Sequence, residues 1–186
     1  ASDPGPLSRN DNADTVLNEC ALAWVAHQAA TDPLHLFDAN IFHPERFTLA
    51  YSESMIVQSA MAAPLLWSGA SPVLAYNLVL MAGFALNGFV MSYVVRRWTA
   101  DTVAAVVAGI LFAYNSNIMT RLPHMQALHV EFLPLALLAL DLLLRAPRPR
   151  HAVVLGAMCA LQALTSVYLL VFTFSAVSAA LLARAD

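Results

Sequence analysis

The 186-residue chain is 60% hydrophobic and 11% charged, with a formal net charge of -3 and a mean hydropathy of +0.65. That balance lies outside the range of soluble domains and reads as a membrane protein. All nine basic residues are arginines with no dense cluster among them, which excludes a nucleic-acid surface.

Charge is distributed unevenly. Eight of the twelve acids (Asp3, Asp11, Asp14, Glu19, Asp32, Asp38, Glu45 and Glu53) precede residue 54, with only Arg9 and Arg46 among them. Cys20 lies in this polar head and Cys159 in an apolar stretch, and neither belongs to a C-x-x-C or Cys/His pattern, so neither a disulfide nor structural zinc is expected. The chain starts with Ala, shows no signal-peptide pattern and ends on an apolar helix, so it reads as a fragment of a longer polytopic protein.

Residues 1–13 carry turn chemistry and no periodicity, and read as a loop. A helix follows over about 15–30, with Leu17, Ala21, Trp24 and Gln28 as one stripe. Its length of about 24 Å falls short of the roughly 30 Å hydrocarbon core, so it is expected to lie on the membrane. Residues 31–52 mix Pro33 and Pro44 with acids and aromatics, as an interfacial loop does, with Phe37, Phe42, Phe47 and Tyr51 as its anchors. Together, residues 1–53 form a non-cytoplasmic loop region and 54–186 the transmembrane region.

Residues 55–67 are apolar but too short to span, and are expected to be interfacial or re-entrant. Spans are expected over 72–95, 102–119, 127–144, 152–164 and 167–183, with a break near Thr165 and Ser166 and a kink at Pro134. Arg96 and Arg97, the cluster Arg145 to Arg150, and Arg184 are then cytoplasmic, each separated from the next by two crossings. The fold class is an all-α polytopic transmembrane bundle with interfacial helices in a large non-cytoplasmic loop. Asp141, four residues before Arg145, reads as its partner rather than as a catalytic group.

The chemistry is expected on the non-cytoplasmic side. Asp14 and Asn18 are one helical turn apart, so the carboxylate can take a proton from an acceptor hydroxyl while Asn18 holds the acceptor or the carboxylate. Asp14 equally suits a helix N-cap. Glu53, at the start of the apolar helix over 55–67, is the second acid, and the dipole of that helix equally accounts for it. Arg121, His124, His129 and Glu131 share the loop T-R-L-P-H-M-Q-A-L-H-V-E-F. Arg121 beside His124 matches phosphate oxygens, although a hydrated interfacial loop would carry the same residues. The five-residue spacing does not put the two histidines on one helical face, so it points only weakly to a metal site, and a divalent ion stays open without sequence support. Asn77, Asn87 and Gln162 read as hydrogen bonds between helices. No mid-membrane acid or base supports an ion-coupled transporter, and nucleotide-binding and serine-hydrolase motifs are missing.

Four stretches carry a resemblance: A-D-T-V-L-N-E-C-A-L-A-W-V-A-H, D-P-L-H-L-F-D-A-N-I-F-H-P-E-R-F-T-L-A-Y-S-E, S-P-V-L-A-Y-N-L-V-L and L-P-H-M-Q-A-L-H-V-E-F-L-P-L-A-L-L-A-L. In their order the chain resembles bacterial polytopic glycosyltransferases of the GT-C type, the group of mannosyl and aminoarabinose transferases. The resemblance implies a multi-pass protein of the bacterial inner membrane that lacks its first helix here. It makes Asp14 the loop acid, with Glu53 secondary. It also implies a polyprenyl-phosphate sugar donor and a lipid or cell-surface glycan acceptor; membrane lipids surround the bundle, no cofactor is expected, and the arginine pattern has already set nucleic acid aside. The family pattern often has Gly where this chain has Ala13 and an apolar residue where it has Glu19. The alternative is a non-catalytic lipid or polysaccharide transporter or assembly scaffold on the same frame, in which Asn77 and Asn87 would matter and Asp14 would not.

Overall fold

A computed structural model describes residues 13–42 and 44–184; of the loop expected over residues 1–13 only Ala13 is among them, and it opens α1 instead. The described residues are all-helical and contain no strand. The α-helices are α1 (Ala13–Thr31), α2 (Ile56–Trp67), α3 (Pro72–Thr99), α4 (Thr102–Ala113), α5 (Ser116–Thr120), α6 (Phe132–Arg145), α7 (Pro149–Thr165) and α8 (Val167–Leu182). Short 3-10 turns stand at Pro33–His35, Thr48–Tyr51 and Met125–Ala127.

Three stretches are long and apolar enough to cross a membrane: Pro72–Thr99, Thr102–Thr120 and Met125–Arg145. Helices α2 and α8 are apolar but shorter. The outer surface agrees with a lipid surround, since Val103, Val107, Ile110 and Leu111 on α4 and Val167, Val171, Phe172 and Phe174 on α8 are exposed. The protein is a membrane protein.

Local chemistry places the helix ends. Ser71, Asp101, Asn115 and Ser166 each accept a backbone N–H at the start of α3, α4, α5 and α8. The span expected over 102–119 stands as the apolar stretch Thr102–Thr120, interrupted at Asn115, whose Oδ1 accepts from Ile118 N at 3.0 Å between α4 and α5. Pro134 does not kink a helix entered near Ala127, because α6 starts only at Phe132. The proline lies in its first turn, where a missing N–H costs nothing. Ser166 ends α7 and caps α8, at the break expected between the last two spans.

Trp98 at the end of α3, Asp141 and Arg145 at the end of α6, and Arg184 beyond α8 line one cleft. These three helices therefore run in the same direction, with α4 and α7 returning between them, and the arginines that follow them gather at one end of the bundle. At α3 and α4 the backbones nearly touch: a Cβ on Gly109 would stand 2.5 Å from the Gly88 carbonyl oxygen. At the other end a core of Leu22, Met55, Ala62, Tyr76, Val79, Leu80, Ile118, Met125 and Leu128 joins α1, α2, α3 and the segment between α5 and α6.

The buried face of α1 differs from the expected stripe. Thr15, Asn18, Glu19, Leu22, Val25 and Ala26 are buried, whereas Leu17 is exposed and Ala21, Trp24 and Gln28 are half-buried. Spacings of three and four residues hold for both sets. The chosen face is the one that carries Asn18, whose amide meets the loop after α5, a partner that hydrophobic periodicity does not register.

Candidate functional site

The loop between α5 and α6 is held by its carbonyl oxygens. Asn18 Nδ2 of α1 donates to Pro123 O at 3.0 Å, and the Tyr76 hydroxyl of α3 donates to the same oxygen at 3.2 Å. Asn87 Nδ2 donates to Leu128 O at 2.5 Å and Gln162 Nε2 to His129 O at 3.2 Å. Asn87 and Gln162, expected to bond helix to helix, instead clamp this loop. Buried carbonyls need such partners, so three helices fix the loop by satisfying its backbone.

The clamp sets the side chains. His124 Nε2 comes to 3.5 Å from Asp14 Oδ2, with the two side chains 48% and 54% exposed. Asp14 lies in the first turn of α1, inside the helix rather than at its N-cap. A half-exposed carboxylate beside an imidazole can accept a proton, and the imidazole can steady the carboxylate or share its proton.

His124 also lines a cleft of about 470 Å³ with Glu53, Arg121, Gln126, Ser166 and Tyr168. The Arg121 guanidinium stands over the Tyr168 ring at 5.5 Å, a cation–π contact that fixes its direction. Arg121, Ala127 and Tyr168 also border a second cleft, about 420 Å³, whose walls include Phe112, Ile118, Leu133, Leu169 and Phe172. Two clefts thus share Arg121, the first lined mainly by polar side chains and the second mainly by apolar ones together with Asn115 and Asn117.

Glu53 is placed here for a reason other than the one expected. Its Oε1 accepts from Ser166 Oγ at 2.9 Å and its Oε2 from Val167 N at 3.1 Å, so the carboxylate serves the N-terminus of α8, not that of α2. Both oxygens are occupied in structural bonds.

His129 and Glu131 are separated from the cleft by burial. His129 is fully buried and Glu131 is 3% exposed, in place of the hydrated loop expected, and His129 Nδ1 lies 2.9 Å from Glu131 Oε1. The imidazole lies against α3 at Gly83, where an added Cβ would be 3.0 Å from Nε2. Of the predicted site residues, Asp14, Asn18, Arg121, His124 and Glu53 come together, while His129 and Glu131 form a separate buried pair. No group of three His, Cys, Asp or Glu side chains suited to a metal exists among the described residues.

Tyr76, Tyr168 and Ser166 were not singled out as site residues. The break before Ser166 was the one signal, because the residues that restart a helix at a membrane surface face whatever lies above it.

Fold and site together define an all-α membrane protein with a cleft holding Arg121 and His124 at the end of the bundle opposite Arg145 and Arg184. The chain belongs to the DUF6311 family, described as a domain of unknown function, which matches residues 10–185. No curated protein and no solved structure matches it.

Proposed function

We propose that the protein is part of a membrane glycosyltransferase of the GT-C type, which moves a sugar from a polyprenyl-phosphate donor to a lipid or glycan acceptor on the non-cytoplasmic face of a bacterial inner membrane. One observation carries the reading: the cleft lined by Arg121 and His124, whose imidazole stands 3.5 Å from the Asp14 carboxylate, adjoins at Arg121 a groove walled by Phe112, Leu133, Leu169 and Phe172. A lipid phosphate has these two halves, an anionic head for the guanidinium and a hydrocarbon chain for the groove.

Asp14 then takes the proton of the acceptor hydroxyl as that oxygen bonds to the anomeric carbon. The bond from the anomeric carbon to the donor phosphate breaks in the same displacement, and Arg121 holds the leaving phosphate and its charge. His124 orients the Asp14 carboxylate. Glu53, with both oxygens engaged by α8, supports the cleft wall.

The test is sugar transfer from a lipid-linked donor by the full-length protein in proteoliposomes. Asp14→Asn is expected to abolish turnover while leaving donor binding in place, and Arg121→Gln to weaken donor binding. Turnover close to normal in Asp14→Asn would overturn the assignment.

A further inference from the structure

We propose that the cleft at the arginine-rich end of the bundle binds an anionic phospholipid of the adjoining leaflet. This second site stands apart from the proposed transfer chemistry, at the opposite end of the helices.

The cleft measures about 420 Å³ and lies between the last turns of α3 and α6 and the end of α8. Its head is charged. Arg145 Nε bonds both oxygens of Asp141, at 2.9 and 2.8 Å, and Arg184 Nη1 bonds Oδ1 at 3.0 Å. Among the described residues, two guanidinium groups on one carboxylate leave the cleft with a net charge of +1. Each guanidinium has five N–H donors, so most of them stay available to a phosphate.

The body of the cleft is apolar. Leu137, Leu140 and Leu144 recur along α6 at helical spacing and form one wall, and Trp98 stands at the edge, 45% exposed. Tryptophan at the end of a membrane helix marks the headgroup level, where its indole meets both acyl chain and water. A phosphate on Arg145 and Arg184 with an acyl chain along the leucines fills both halves, as in basic pockets between membrane helices.

Free phosphate fits this arrangement poorly, because the Arg145 and Arg184 side chains are 64% and 46% exposed and the ion competes with water for them, and an acyl chain on the leucines supplies what the ion lacks. General attraction to an anionic surface is a different effect. Arg96, Arg97, Arg148 and Arg150 lie at the same end but not in the cleft, so they serve as its measure.

The experiment places the full chain in nanodiscs of phosphatidylcholine with and without phosphatidylglycerol, and reads lipid retained after transfer to detergent by native mass spectrometry. The expected result is selective retention of phosphatidylglycerol, weakened about tenfold in the Arg145→Gln, Arg184→Gln double variant and kept in the Arg148→Gln, Arg150→Gln variant. Arg145→Gln alone leaves Asp141 paired with Arg184 and keeps the test open if the double variant fails to fold; it is expected to show an intermediate loss. Equal losses in the two double variants, equal retention of the two lipids, or displacement by soluble glycerol phosphate would each overturn the proposal.

Discussion

Asn18 in α1 donates to the carbonyl oxygen of Pro123 across 105 residues of chain, and the next residue after that carbonyl is His124. One turn earlier on α1 stands Asp14, 3.5 Å from the His124 imidazole. The amide therefore docks two elements in the register that pairs a carboxylate with a histidine. Asn18→Leu keeps the volume and removes the bond, leaving a carbonyl that Tyr76 still satisfies. The expected cost is about 1 kcal/mol in thermal or denaturant unfolding. Turnover should fall much further than stability, and an equal fall in both would make the residue purely structural.

Glu53 makes the opposite case. Its two bonds to Ser166 and Val167 hold the start of α8 against the segment before α2. Glu53→Gln retains one acceptor oxygen and loses the charge at the helix N-terminus. The expected loss is about 1–2 kcal/mol of stability with turnover reduced only modestly. A stable but inactive Glu53→Gln would move the role of base from Asp14 to Glu53.

The helical class was legible because long apolar runs bounded by Ser71, Asp101 and Arg145 have few alternatives. Ser166 was also marked, by the polar pair it forms with Thr165 inside an apolar stretch. The service rendered by Glu53 to α8 was not legible, since a carboxylate before one helix gives no sign of capping another more than a hundred residues on. His129 and Glu131 misled for a related reason: a His and an acid two residues apart read as solvated loop, and only the closure of α3 and α7 over them makes them core. Asp14, Asn18, Arg121 and His124 were legible as a set of loop residues on one side, but their pairing was not.

Close helix contact at Gly109 makes a graded series of glycine variants informative. A methyl group at Gly109 meets Ser92 Oγ and, at 2.5 Å, the Gly88 carbonyl oxygen; one at Gly88 meets the Ala113 Cβ at 3.5 Å and the Gly109 carbonyl oxygen at 3.6 Å, both ordinary contacts; and one at Gly156 meets nothing within 4 Å. Gly109→Ala is expected to cost about 1–3 kcal/mol by forcing α3 and α4 apart. Gly88→Ala should be close to neutral, and Gly156→Ala should stabilise by up to about 1 kcal/mol through helix propensity. Unfolding of the three variants in one detergent checks the order.

The Asp38 carboxylate closes the loop before α2. Its Oδ1 accepts the N–H of Phe47 at 2.9 Å, a residue in the left-handed region at φ 56°, and its Oδ2 lies 3.4 Å from Arg46 Nη2. The Phe47 N–H, helped by the Arg46 bond and charge and opposed by partial burial, holds the carboxyl pKa below its ordinary 3.8. A depressed native pKa means the closure is fully present above the ordinary value and is lost as pH falls through the lowered one. Hydrogen exchange over residues 38–48, corrected for intrinsic rates, should show constant protection from neutral pH to about 4 and less below. Asp38→Asn should lack part of that protection at neutral pH, and a pH-independent profile would remove the carboxylate from the closure.

His129 and Glu131 are coupled by burial. With Nδ1 bonded to Oε1 and the ring backed by Gly83, removing either partner strands the other among apolar residues and loop carbonyls. His129→Leu and Glu131→Leu are each expected to cost about 3 kcal/mol or more, most of it the desolvation of the group left behind. The double variant leaves nothing stranded, so its cost should be well below the sum and near that of one substitution. Gly83→Ala perturbs the same pair from the other side by pressing on Nε2, and should destabilise the wild-type chain more than the double variant, whose leucine has no bond to lose. Additive costs in the double-mutant cycle would show that the two residues stabilise the loop independently.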